Sequence, residues 1–103
     1  MSDPSNTITS STDLRAHYQP PIERAVLKTL PRIDAHMRRF IALSPFVCVG
    51  TSGPDGADVT PRGDAPGFVQ VADDTTLLIP DWPGNNRLDS LGNLMSNPQV
   101  GLL

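Results

Sequence analysis

Residues 80–91, PDWPGNNRLDSL, connect a strand-like run at 76–79 to an amphipathic helix pattern through a turn rich in Pro, Gly and Asn. Asn86 and Arg87 therefore stand where a helix is about to begin. A helix start presents unpaired backbone N–H groups and the positive end of the macrodipole, which favours an anion such as phosphate. The guanidinium of Arg87 adds a planar fork of donors that matches phosphate better than an ammonium does. We interpret this segment as the phosphate-binding part of a cofactor site.

The helix after this turn is predicted from about residue 87 to residue 96. Asn86 is its expected N-cap, and Asp89 at the third helical position makes a variant of the capping box. Asn97-Pro98 ends the pattern, because the residue before a proline is disfavoured in a helix. Its predicted buried face consists of four apolar residues at helical spacing, Leu88, Leu91, Leu94 and Met95.

Before the turn, short apolar and β-branched runs predict antiparallel strands. Residues 46–51, FVCVGT, form a run typical of a buried strand. The tight-turn signal at 54–56, PDG, predicts that residues 57–60 return as its partner. Three further strands are predicted over residues 67–71, 76–79 and 99–103.

The fifth of these strands runs apolar into Leu103 without a polar cap. Such an ending leaves a strand edge and a core face without a partner. Three explanations are open: a truncated product, a fragment, or a strand completed by a partner chain. We favour truncation as the expectation.

The chain ahead of the first strand has a helical pattern. Residues 1–12 are rich in Ser, Thr and Asn and are expected to be disordered. We expect one domain over 13–103, with a helical lead-in over 13–43 and a strand-rich part over 44–103. The lead-in carries apolar residues at helical spacing on both sides of Pro31: Ile22, Val26, Leu27 and Leu30 before it, and Ile33, Met37, Phe40 and Ile41 after it. Its arginines Arg32, Arg38 and Arg39 fit a solvated helix face better than an anion site.

The composition limits the classes of function. The 103 residues carry a formal charge of −3, and no basic stripe is present, which argues against a nucleic-acid partner. No apolar run approaches the roughly 20 residues of a spanning helix, so no membrane partner is expected. The single cysteine, Cys48, excludes an internal disulfide, and the first six residues lack the features of a secretory signal. We therefore expect a cytoplasmic protein.

A second candidate segment is TPRGDAPG at residues 60–67. Pro61 and Gly63 allow a bend or bulge at the end of a strand, which would project Arg62 off the sheet as an anion-binding side chain. The alternative is a solvent-facing hairpin in which Arg62 merely pairs with Asp64. The spacing alone favours neither interpretation over the other.

The remaining candidate groups point away from catalysis by side chains alone. His17 and His36 have no acidic or cysteine partners at ligand spacing, so no metal site is expected. Cys48 lies in the most apolar strand and is expected to be an inert small hydrophobe. Because no general acid–base pair stands out, the pattern favours a protein that positions a redox cofactor and leaves the chemistry to it.

The order of these motifs resembles the pyridoxamine 5'-phosphate oxidase-like family, and more narrowly a bacterial subfamily of probable FMN-dependent enzymes. The resemblance runs from about residue 14 to the last residue. The motifs that carry it are SPFV at 44–47, PDG at 54–56, TPRGDAPGFV at 60–69, LLIPD at 77–81, PGNNRLDSL at 83–91 and NPQVGLL at 97–103.

The resemblance implies an α+β, mainly β fold: an FMN-binding split β-barrel, here only its N-terminal part, preceded by two or three helices. It also implies a homodimer with FMN in the cleft between subunits, acting as an oxidoreductase on a small-molecule substrate or electron donor. Relatives often carry a lysine near the position of Ser90, from which this chain departs. The residues implied in FMN binding are Pro61, Arg62, Gly63 and Asp64 in one element, Ile79 and Pro80 in a second, and Asn86 and Arg87 in a third. A non-catalytic flavin or haem binding module, and an inactive truncated fragment, remain as alternatives.

Overall fold

The structure is a computed structural model that describes residues 7–81 and 88–103. The chain divides into two compact units, Met1–Pro31 and Arg32–Leu103. The first unit contains helices α1 (Ser11–His17) and α2 (Glu23–Leu27). The Ser10 hydroxyl caps α1 by accepting a 3.0 Å hydrogen bond from the Asp13 N–H. Neither helix has a buried residue.

The second unit begins with helix α3 (Ala35–Leu43). Its N-cap is Asp34, whose carboxylate accepts a 2.8 Å hydrogen bond from the Met37 N–H. Just before it, Arg32 forms a 3.2 Å ion pair with Asp74. The exposed side chains of Arg32 and Arg38 agree with the predicted solvated helix face.

The predicted hairpin is present as strands β1 (Phe46–Gly53) and β2 (Gly56–Gly63), which pair antiparallel. Gly53 pairs with Gly56, so the turn consists of Pro54 and Asp55 alone. Gly56 has a φ of 122°, a conformation that only glycine adopts readily. The glycine of the PDG sequence is therefore the residue that this turn requires.

Two separate sheets contain the strands of the described residues. The first has the order β2-β1-β5, in which β5 (Gly101–Leu102) pairs antiparallel with β1. The second pairs β3 (Gln70–Asp73) with β4 (Thr76–Leu78). The α+β class is therefore confirmed, whereas the strands described do not close into a barrel.

The predicted third strand begins later than expected, at Gln70 instead of residue 67. The turn chemistry of the preceding residues is the reason. The Asp64 carboxylate accepts a 2.7 Å hydrogen bond from the Ala65 N–H, and Gly67 has a φ of 79°. A Cβ on Gly67 would lie 2.9 Å from the carbonyl oxygen of Ala42, so only glycine fits this approach to α3.

The core of the second unit is formed by Val47, Val49 and Val69, the buried apolar side chains of the described residues. Partly buried apolar residues pack around them: Ile41, Phe68, Leu77 and Ile79. The core thus joins α3, β1 and the second sheet. Cys48 lies on the opposite face of β1 and is half-buried, so it is not part of this core.

Helix α4 (Asp89–Ser96) has the predicted position but not the predicted cap or buried face. Its N-cap is Leu88, so Asp89 takes the first helical position and the predicted capping box is wrong. The residue that α4 buries is Ser90, while Leu88, Leu91 and Met95 are exposed and Leu94 is half-buried. The prediction of four buried apolar residues fails because polar residues of α4 bind the hairpin instead, as described below.

None of the helices in the described ranges has the length and apolar character that crossing a membrane requires.

Candidate functional site

The first predicted site element forms the end of β2. Arg62 pairs with Val47, and Pro61 and Gly63 pair with Cys48 and Phe46. Directly paired residues lie on the same face of an antiparallel sheet, so Arg62 shares the face of the valine core. Pro61 and Gly63 lie on the opposite face and are exposed. The residues predicted to bind together thus divide between the two faces of the sheet.

Arg62 makes an ion pair with Asp81, with 3.9 Å between Nη1 and Oδ1. The Arg62 side chain is 30% exposed and that of Asp81 is 67% exposed. The carboxylate of Asp64 instead accepts a hydrogen bond from the Ala65 N–H, and the backbone N–H of Asp64 donates to the Pro45 carbonyl at 3.0 Å. The alternative in which Arg62 pairs with Asp64 is therefore wrong.

The second predicted element, Ile79 and Pro80, lies directly before Asp81. Both residues are half-buried, and β4 ends at Leu78, one residue earlier than predicted. Ile79 packs against the valine core. The Arg62–Asp81 pair therefore brings the first and second predicted elements together at one end of the fold.

The third predicted element, Asn86 and Arg87, lies outside the described residues. The helix that follows it is described, and its first turn lies against β2. The hydroxyls of Ser90 and Thr60 are 3.3 Å apart, and Ser90 is 5% exposed. Because Thr60 and Arg62 are two residues apart on β2, they share one face of the strand. The first turn of α4 thus lies beside the strand that carries Arg62.

Several residues that shape this region were not found by sequence reasoning. The sequence pattern does not single out Asp81 or Ser90 as site residues. Their partners lie at a distance along the chain: Arg62 for Asp81 and Thr60 for Ser90. No local pattern reports such pairs. Asp58, also on β2, has a buried Oδ2 atom without a hydrogen-bond partner among the described residues.

A phosphate group fits the groups that this region presents. Arg62 is a half-buried cation whose ion-pair partner, Asp81, is 3.9 Å away and mostly exposed, so its guanidinium has donors to offer a second anion. The nearby first turn of α4 adds the positive end of a helix dipole. In the ranges 7–81 and 88–103, no group of three or more His, Cys, Asp or Glu side chains could hold a metal ion.

A cavity of about 480 Å³ opens elsewhere, between α3 and β3. Its walls include Arg38, Ile41, Val69 and Gln70. None of the predicted site residues that the structure describes lines it. The cavity is therefore separate from the region around Arg62.

Comparison with known proteins agrees with the resemblance seen in the motifs. A family model described as pyridoxamine 5'-phosphate oxidase matches residues 33–103, which is more than half of the chain and nearly all of the second unit. No curated protein and no solved structure gives a significant match. The matched range contains the end of β2, the segment after β4 and the first turn of α4, which meet around Arg62. The chain belongs to the pyridoxamine 5'-phosphate oxidase-like family.

Proposed function

We propose that the protein is an FMN-dependent oxidoreductase, with FMN bound at the interface of a homodimer of split-barrel subunits. The observation that carries the proposal is the meeting of three elements in the second unit. The end of β2, the segment after β4 and the first turn of α4 all lie around Arg62 and Thr60. Family membership supplies the expectation of a flavin.

In this proposal the chain holds the two ends of FMN with different residues. Arg62, Asn86 and Arg87 bind the phosphate through charge-assisted hydrogen bonds. Backbone and side chains of two segments line the ring system: Pro61, Gly63 and Asp64 in one, Ile79 and Pro80 in the other. When bound, FMN accepts and donates the electrons of the reaction with a small-molecule substrate or electron donor. The protein contributes position and electrostatics.

Exposed apolar surface in the second unit supports the homodimer. The face of the first sheet opposite the valine core carries Phe46 and Val59, which are exposed. Helix α4 adds the exposed side chains of Leu91 and Met95. A second copy that covers such surface removes it from water, which stabilises the assembly. A cytoplasmic location remains part of the proposal and rests on the sequence expectations alone.

Flavin binding is tested with the purified full chain. We expect a yellow protein with a flavin absorption band, or saturable quenching of FMN fluorescence when FMN is titrated. Arg87→Ala should weaken FMN binding by about tenfold or more while riboflavin binding changes little, since only FMN has the phosphate and a charge-assisted hydrogen bond is worth roughly 1.5–3 kcal/mol. Arg39→Ala, at an exposed position of α3, is the matched control and should leave both affinities unchanged. Equal losses for FMN and riboflavin in Arg87→Ala would contradict the proposed phosphate role.

Turnover separates the oxidoreductase from a non-catalytic flavin or haem binding module. Stopped-flow reduction of the FMN-loaded protein by NADPH, followed by reoxidation with candidate acceptors, should show both half-reactions proceeding faster than they do with free FMN. Tight flavin binding with no electron transfer would favour the module. A chain that shows no cooperative unfolding by circular dichroism would instead indicate an inactive fragment.

A further inference from the structure

Helix α4 is hydrogen-bonded to the hairpin along a polar seam. The Asn93 side-chain amide donates to the Thr51 hydroxyl at 3.1 Å, and the Asn97 amide donates to the Ser52 hydroxyl at 2.9 Å. The Thr60–Ser90 pair makes the third contact. We define the polar seam as these six residues, Thr51, Ser52, Thr60, Ser90, Asn93 and Asn97.

The polar seam is tightly fitted as well as polar. Thr51 and Ser90 are each 5% exposed. A Cβ on Gly53 would overlap the Asn93 side-chain oxygen, so a larger residue there would displace the Asn93 side chain from its present position. Hydrogen bonds between buried groups depend on direction, unlike apolar contacts, and a mismatch leaves polar atoms unsatisfied. Such a contact therefore fixes the rotation and the axial position of the helix.

The two ends of the polar seam have different neighbours. Asn97 is the C-cap of α4 and lies against the turn end of the hairpin. Ser90 is in the first turn of α4 and lies against Thr60, two residues from Arg62. A shift at the Ser90 end would thus move the start of α4 relative to Arg62. A shift at the Asn97 end would move the end of α4, away from Arg62.

We propose that the Thr60–Ser90 pair is a positioning contact that sets the start of α4 against Arg62, so that both can bind one phosphate. This inference rests on the proposed FMN function and deepens it. Thr60 and Ser90 do not touch the cofactor in this account. They act by holding two phosphate-binding groups at a fixed separation, which preorganises the site.

The test compares FMN with riboflavin in four variants of the full chain, by fluorescence titration. Ser90→Ala and Thr60→Val each remove one hydroxyl of the pair and should weaken FMN about three- to tenfold more than riboflavin, which corresponds to the roughly 0.5–1.5 kcal/mol of one hydrogen bond. Thr60→Ser keeps the hydroxyl and should restore the preference for FMN. Asn97→Ala removes a bond of the same seam at the far end and should lower the melting temperature without changing the FMN-to-riboflavin ratio.

The outcomes separate this inference from the function on which it rests. A wild-type protein that binds no flavin, or an Arg87→Ala variant with an unchanged ratio, overturns both. Phosphate-dependent binding with an unchanged ratio in Thr60→Val overturns the positioning role alone. So does Asn97→Ala if it changes the ratio as much as Thr60→Val does. Should Ser90→Ala fail to fold, the comparison of Thr60→Val with Thr60→Ser decides the question.

Discussion

At the scale of single residues, two glycines of the second unit should respond in opposite ways to substitution by alanine. Gly67 combines a φ of 79° with a close approach to the Ala42 carbonyl, while Gly92 in α4 has no atom within 4 Å of an added Cβ. Gly67→Ala should lower the free energy of unfolding by about 1–3 kcal/mol, because alanine is strained in that conformation. Gly92→Ala should raise it by up to about 1 kcal/mol through better helix propensity. Urea unfolding of both variants measures this pair, and a neutral Gly67→Ala would show that the turn before β3 can rearrange.

The carboxylate of Asp73 gives a prediction about pH. The Thr75 backbone N–H donates to it at 2.9 Å and lowers its pKa, with help from the side chains of Thr76 and Thr75 and from the nearby charge of Arg38. Because the pKa of Asp73 is lower in the folded state, its carboxylate stabilises the fold at pH values above its pKa in the unfolded chain. This stabilisation is lost as the pH falls through its pKa in the folded state. NMR titration of the carboxyl carbon should give a midpoint below the usual value of about 3.9. Thr75→Val should keep most of the shift, since the backbone donor remains; a return to the usual value would assign the effect to the hydroxyl.

At the scale of elements, α4 hydrogen-bonds to the hairpin through polar residues and leaves the apolar side chains of Leu91 and Met95 exposed. Met95 is 89% exposed. If a second copy covers this face, Met95→Glu should shift the protein to the monomer in analytical ultracentrifugation while α4 remains folded. Gln99→Glu introduces the same charge after the helix and should leave the oligomeric state unchanged. A Met95→Glu protein that assembles as well as the wild type would place the dimer contact elsewhere.

The elements also show what the sequence can and cannot predict. The hairpin was predicted closely, because Pro54, Asp55 and Gly56 determine its turn locally. The predicted bounds of α4 are nearly correct, but the prediction of its buried face is wrong. Apolar residues at helical spacing reveal that a helix has an apolar face, but not whether that face packs against the rest of the same chain. The contacts that orient α4 join residues 30, 42 and 45 positions apart, and Ser, Thr and Asn are common at such separations without touching. For the same reason the sequence offers Arg62 as a candidate but does not indicate that its ion-pair partner is Asp81.

At the scale of the whole molecule, the second unit has a small core for its length. Its buried apolar residues, among those described, are three valines. A core of this size stabilises a unit spanning Arg32–Leu103 only weakly, so association and ligand binding should add much of the stability. We expect the melting temperature to rise with protein concentration and to rise again when FMN is added in excess, as mass action requires. Melting temperatures that depend on neither variable would show a monomer that does not bind FMN.

The position of Cys48 has a practical consequence. It is the sole thiol of the chain, half-buried on the sheet face opposite the valines and paired with Pro61 across the strands. Alkylation by a maleimide or iodoacetamide reagent therefore modifies one known spot on that face. The rate of labelling, followed by mass spectrometry with and without flavin, therefore measures how accessible that face of the sheet is to solvent.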